Sequence, residues 1–119
     1  MTTFKTGTDL VNEAKARITE ISVADAIEAS SGRVVFLDVR EPNEWNLGHL
    51  PEALHIARGQ LETKIEAAVE RSSPVIIYCA TGNRSALAAD TLQQMGYGDV
   101  KSLAGGFRAW AESGGEIED

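Results

Sequence analysis

A single cysteine, Cys79, stands where an apolar run gives way to a helical one: Pro74-Val-Ile-Ile-Tyr-Cys79-Ala-Thr-Gly-Asn-Arg84-Ser-Ala-Leu-Ala-Ala. A thiol at the start of a helix faces unpaired backbone N–H groups and the positive end of the helix dipole, and both favour thiolate over thiol. The thiolate is the nucleophile, and a free cysteine, with a pKa of about 8.5, is only a few per cent ionised at pH 7. A helix end typically supplies roughly 0.3–1 kcal/mol, so Arg84, five residues on, is the candidate source of further stabilisation. Gly82 permits positive φ and close approach of backbone to a ligand. A segment curled in this way turns successive N–H groups inward to form an anion-binding nest. The competing reading is a buried structural cysteine on a strand-to-helix connection; Gly82, Arg84 and the helix opening at Ser85 favour nucleophilic chemistry.

The elements that must position this loop alternate short apolar runs with helical stretches, the pattern of βαβ units and a mostly parallel sheet of about four to five strands. Thr8 is a candidate cap for a first helix in which Leu10, Val11, Ala14 and Ile18 share a face. A short strand begins at Ile21-Ser22, a helix runs over 23–29, and Ser30-Ser31-Gly32 stops it. Residues 34–39 read as a buried strand halted before Pro42, 53–56 as a brief strand, and 61–70 as a helix with Leu61, Ile65, Ala68 and Val69 inward. Residues 75–78 form the central strand, 85–95 a helix, 100–103 the last strand and 107–112 a short final helix, after a tight turn at Gly105-Gly106. The organisation is a helical extension over 1–17 attached to one domain over 18–119.

At 119 residues the chain holds one core. Its longest apolar run, Val75 to Ala80, falls far short of the roughly 20 residues that cross a bilayer. Met1 to Gly7 lacks the basic start and apolar stretch of a secretory leader. With one cysteine there is no internal disulfide and no zinc-ligand cluster, so a cytoplasmic setting, no metal and no cofactor are expected. The net charge of −7 disfavours nucleic acid and anionic membranes as partners. Glu112, Glu116, Glu118 and Asp119 make an acidic tail, expected to be a solvated, frayed end.

Four motifs in order resemble the rhodanese (sulfurtransferase) family. Asp38-Val39-Arg40-Glu41 with Glu44-Trp45 looks like its first signature, and Gly48-His49-Leu50-Pro51-Glu52-Ala53 like its second, with Glu52 in place of the usual glycine. Cys79 to Arg84 is the active loop, and Gly105-Gly106-Phe107 with Trp110 the closing segment. The likeness spans roughly residues 18–115 and implies a three-layer α/β/α rhodanese-like domain. It also implies a sulfurtransferase that takes sulfur from a small donor anion such as thiosulfate onto Cys79 and passes it to a thiol or protein-thiol acceptor. Cysteine phosphatases and arsenate reductases share the architecture, but cysteine phosphatases need five residues between cysteine and arginine; this chain has four, which favours a ring fitted to sulfur. A non-catalytic binding module is the other alternative.

Within that resemblance Cys79 is the nucleophile, and Arg84 either attracts the donor or forms a structural ion pair. Ala80, Thr81, Gly82, Asn83 and Ser85 surround the substrate with N–H groups, while the side chains of Thr81, Asn83 and Ser85 either donate hydrogen bonds or shape the turn. Asp38, Arg40 and His49 are supporting residues. Asp38 and Arg40 either touch the crevice or, as favoured, form a brace in which Glu44 holds Arg40. His49 is an acid–base candidate or, as favoured, the holder of the Gly48–Pro51 turn. His55 has no evident role. Trp45 and Trp110 are expected to pack, Trp110 as a candidate pocket wall.

Overall fold

The structure, a computed structural model, describes residues 3–119. Along the chain run α1 (Gly7–Arg17), β1 (Thr19–Ile21), α2 (Val23–Ala29), β2 (Val35–Asp38), α3 (Pro42–Asn46), β3 (Leu54–His55), a 3-10 turn (Arg58–Gln60), α4 (Leu61–Ala68), β4 (Val75–Tyr78), α5 (Asn83–Gln94), β5 (Val100–Leu103) and α6 (Gly106–Glu112). The strands form one five-stranded sheet in the order β1-β5-β4-β2-β3, with every pairing parallel. The parallel sheet is the one the alternating pattern implies, and the three-layer α/β/α arrangement is the one the resemblance implies.

Strand β4 is buried at all four positions. A parallel strand covered on both faces reads as a continuous apolar run rather than an alternating one. One face carries Leu37, Val75, Ile77, Cys79 and Val100 against Leu61, Ile65 and Leu92 of α4 and α5. The other carries Phe36, Ile76, Tyr78 and Leu103 against Ala26 of α2 and Trp110 of α6. Successive residues of a strand point to opposite faces, so Cys79 continues the Val75–Ile77 row toward α5.

The connections from β2 and β4 leave in opposite directions, to β3 and to β5. Ligands of open α/β sheets bind at such a switch point, beyond the carboxyl ends of the strands. Cys79 follows β4 there.

Four local expectations are corrected. The first helix is capped by Thr6, not Thr8: its hydroxyl accepts from the Asp9 N–H at 3.0 Å while the Asp9 carboxylate accepts from the Thr6 N–H at 2.9 Å. That helix lies on α5, with Ala14 fully buried and the Arg17 guanidinium donating twice to the Asp90 carboxylate, at 3.0 and 2.7 Å. Pro42 opens a helix instead of merely ending a strand. Its fixed φ suits the first turn, and Glu41 and Glu44 close a reciprocal capping box around it. Helix α4 stops at Ala68 because Val69 turns extended. The acidic tail is anchored: His49 and Glu118 exchange N–H···O bonds at 2.9 and 2.8 Å, and the Trp110 indole donates to the Glu116 carbonyl at 2.8 Å. Among the described residues no helix is long and apolar enough to cross a membrane.

Candidate active site

Gly82 sits at φ +107° and caps α5, so the chain doubles back over the Cys79 sulfur before the helix begins. The sulfur accepts from the N–H groups of Gly82 at 3.1 Å and Ser85 at 3.3 Å, and the Ser85 hydroxyl lies 3.5 Å away. Helix α6 holds the outer side of the loop. The Phe107 N–H donates to the Cys79 carbonyl at 2.8 Å and the Arg108 N–H to the Ala80 carbonyl at 3.1 Å. In a planar trans peptide the C=O and N–H point in opposite directions. Tying both carbonyls therefore fixes the two peptides that carry the Ala80 and Thr81 N–H groups, and the Thr81 N–H is among those that lower the Cys79 pKa. Gly106, at φ +59°, is what lets α6 approach: a Cβ there would overlap the Cys79 carbonyl oxygen and fall 2.7 Å from the Ala80 carbonyl carbon.

Burial by itself pushes the Cys79 thiol up. The Ser85 hydroxyl and the N–H groups of Ser85, Gly82 and Thr81 outweigh it, and the pKa falls below the ordinary thiol value. Cys79 is 1% exposed. Ala80 is half-buried, and Thr81 and Asn83 are exposed at the rim. Behind Ser85 stands Ser102 of β5, its hydroxyl 2.8 Å from that of Ser85 and both residues fully buried. Ser102 pairs with Ile77 across the β4–β5 ladder, beneath the cysteine. The period-two pattern of β5, with a serine in phase with buried Val100, is the signal that could have singled it out.

Arg84 faces Glu44. Its Nη1 and Nη2 donate to the two carboxylate oxygens at 2.8 and 3.1 Å. The Arg84 hydrogen bonds hold the Glu44 carboxyl down at about 2. Glu44 is likewise the chief influence keeping the guanidinium protonated, with the Cys79 charge a lesser one. The groups that lower the Cys79 pKa are thus amides and a hydroxyl.

The expected Arg40–Glu44 pairing is absent, because Glu44 is taken by Arg84. Arg40 is buried on Asp38, with contacts of 2.8 to 3.1 Å, and donates to the Gly48 carbonyl at 2.7 Å. Its guanidinium lies 4.2 Å from the Phe107 ring centroid. Since the Phe107 N–H grips the Cys79 carbonyl, Asp38 and Arg40 support the loop from below.

The His49 Nδ1 donates to the Leu50 carbonyl at 3.0 Å, and the His55 Nε2 to the Arg40 carbonyl at 2.8 Å. Both imidazoles stack on Trp45, with centroids at 3.5 and 4.9 Å and planes within 12°. Two rings so close to one indole cannot share a face, so Trp45 is sandwiched between them. His49 therefore belongs to this stack and to the Gly48–Pro51 turn. Trp110 packs edge-to-face on Phe36 in the opposite layer and lines a groove with Leu50 and Glu116, so it is not a wall of the Cys79 site.

A parallel α/β sheet with a cysteine–arginine loop at its switch point defines a cysteine-loop α/β domain. The chain belongs to the rhodanese-like family: residues 22–113 match the model of the rhodanese-like domain. The uncharacterized protein YqhL of Bacillus subtilis is 34% identical over 102 residues, covering 86% of this chain and 78% of that protein. A protein of unknown function from Rhodopseudomonas palustris, named as a possible tyrosine phosphatase, superposes with a TM-score of 0.87 at 35% identity over 99% of this chain and 98% of its own. A rhodanese-related protein from Thermoplasma volcanium gives a TM-score of 0.78 at 33% identity, over 84% and 97% of the two chains.

Proposed function

We propose that the protein is a sulfurtransferase that carries sulfane sulfur as a persulfide on Cys79. The observation that carries this reading is the sulfur itself, which accepts from the N–H groups of Gly82 at 3.1 Å and Ser85 at 3.3 Å inside a loop with four residues between cysteine and arginine. In the first step the Cys79 thiolate attacks the outer sulfur of a donor such as thiosulfate. The Sγ–S bond forms, the donor S–S bond breaks, and sulfite leaves with that electron pair. In the second step an acceptor thiolate attacks the outer sulfur of the persulfide and returns Cys79 as thiolate. This is covalent catalysis through an activated nucleophile, and the loop amides stabilise the anionic persulfide as an oxyanion hole stabilises oxygen. No metal or cofactor enters either step. A reducing, cytoplasmic compartment and a thiol or protein-thiol acceptor suit a lone cysteine that must stay free.

Intact mass spectrometry after mixing with thiosulfate tests the reading. Wild type gains one sulfur atom, lost again to cyanide or dithiothreitol, and Cys79→Ser gains none. If no sulfane donor loads the wild type, sulfur transfer is excluded. A second reading, phosphoryl or arsenate chemistry, draws support on its phosphoryl side from the name of the Rhodopseudomonas relative, a possible tyrosine phosphatase. Turnover of an aryl phosphate or arsenate without uptake of sulfur would select it.

A further inference from the structure

The residue type and spacing of Arg84 make it the natural attractor of a small anionic donor, yet its guanidinium is already engaged. Both terminal nitrogens bond the two Glu44 oxygens, and Glu44 is itself fixed: its Oε1 accepts from the Glu41 N–H at 3.0 Å, which closes the capping box of α3. The carboxylate thus comes from a helix terminus that holds it in place, and the pair is only about one-third exposed, 36% for Arg84 and 29% for Glu44. The neighbouring cation offers no substitute. Arg40 is buried against Asp38 and the Gly48 carbonyl. A chain of net charge −7 adds a field that repels small anions.

We propose that Glu44 sets donor selectivity: by clamping Arg84 as a neutral pair, it turns the Cys79 loop away from small dianions such as thiosulfate and toward sulfane donors carrying one charge or none, such as the persulfide of a low-molecular-weight thiol. This rests on Cys79 being the sulfur-accepting nucleophile. With such a donor, the Cys79 thiolate attacks the outer sulfur of R–S–S–H. The Sγ–S bond forms, the donor S–S bond breaks, and R–S⁻ leaves with the electron pair while the proton stays on the transferred sulfur. Charge and atoms balance without an oxidant. The amides of the loop suffice for this transfer, because neither reactant brings the second negative charge that a free guanidinium would be needed to offset. An aryl phosphate dianion meets the same obstacle as thiosulfate.

The test compares single-turnover sulfur loading from thiosulfate and from 2-hydroxyethyl persulfide, read by intact mass, in wild type and Glu44→Gln. The glutamine keeps an oxygen for the Glu41 N–H and removes the charge. The ratio of thiosulfate to persulfide rates should rise about tenfold in the variant, the scale of one uncompensated charge at a partly exposed site; an unchanged or lower ratio overturns the proposal. Wild type supplies an arm that needs no substitution. Raising KCl from about 10 to about 300 mM should speed thiosulfate loading by screening like-charge repulsion, and slowing would show Arg84 engaging the dianion. If neither donor loads the wild type, the sulfur-transfer reading fails separately. The ratio of iodoacetate to iodoacetamide alkylation at Cys79 then still judges Glu44: it should rise in Glu44→Gln, and no rise rejects its role.

Discussion

The hydroxyls of Ser85 and Ser102 lie 2.8 Å apart, both fully buried, and together they favour one charge state of the cysteine. When Cys79 is a thiolate, Ser102 donates to Ser85 and Ser85 donates to sulfur, so every hydroxyl hydrogen has an acceptor. When Cys79 is a thiol, the chain reverses, and the Ser102 hydrogen has no acceptor in the hydrogen-bond network of the described residues. A buried donor left unmade costs about 1–3 kcal/mol. Ser102→Ala should raise the Cys79 pKa and slow its alkylation by iodoacetamide about fivefold at pH values below both midpoints, for roughly 1 kcal/mol of lost stabilisation. The pH profile of alkylation decides the matter, since a purely structural serine would leave its midpoint in place.

Stability should follow the same ionisation. The folded pKa of Cys79 lies below the ordinary thiol value, so between the two the unfolded chain binds a proton that the native chain lacks. Stability then rises with pH through that window. The contribution is complete above the ordinary thiol pKa and is lost as pH falls through the depressed one. Urea midpoints of wild type and Cys79→Ser should therefore diverge in favour of wild type from neutral to alkaline pH. Parallel curves would mean the sulfur is not held as thiolate.

Glu44 obeys the same rule in acid. Its pKa of about 2 lies below the ordinary carboxyl value, so its stabilisation is full above that ordinary value and disappears as pH falls through about 2. The stability gap between wild type and Glu44→Gln should persist at pH 5 and close near pH 2. A gap that closes by pH 4 would show the pair to be open in solution.

Gly106→Ala should destabilise the protein by about 2–4 kcal/mol, combining left-handed strain with the clash against the Cys79 carbonyl. It should also return the cysteine toward ordinary reactivity, because the loop peptides tied by the Phe107 and Arg108 N–H groups lose their anchor. Unfolding curves together with alkylation rates check both effects.

Glu52 occupies φ +61°, the one positive-φ residue other than glycine among the described residues. Left-handed backbone costs an ordinary L-residue roughly 1–2 kcal/mol, partly offset by the greater entropy that glycine loses on folding. Glu52→Gly should stabilise by about 0.5–1 kcal/mol while leaving Cys79 alkylation unaltered. Thermal unfolding measures the gain, and a loss would show that the glutamate side chain outweighs the strain.

The elements nearest the cysteine could be read from short stretches of residues. Strands β4 and β5 span the residues read for them, 75–78 and 100–103, helix α2 spans the stretch its pattern marks out, and Gly82 announces the turn that wraps the sulfur. Local propensity and periodicity govern those features, and both lie within a few consecutive positions. Helix α3 is not legible locally because Pro42 reads as a stop for β2, while its ring equally suits a first helical turn.

The partners of the site could not be read in that way. Glu44 meets Arg84 across forty residues of chain, Ser102 comes to lie under Ser85, Gly106 presses on Cys79, and Glu118 pairs with His49. Each of these depends on the strand order β1-β5-β4-β2-β3 and on its parallel register. That order is set by packing both faces of one sheet at once, a global condition that no window of neighbouring residues contains. The cysteine, its loop and the amides that lower its pKa are therefore written locally, while Glu44 on the arginine and Ser102 behind Ser85 reach the site only when distant segments are brought together.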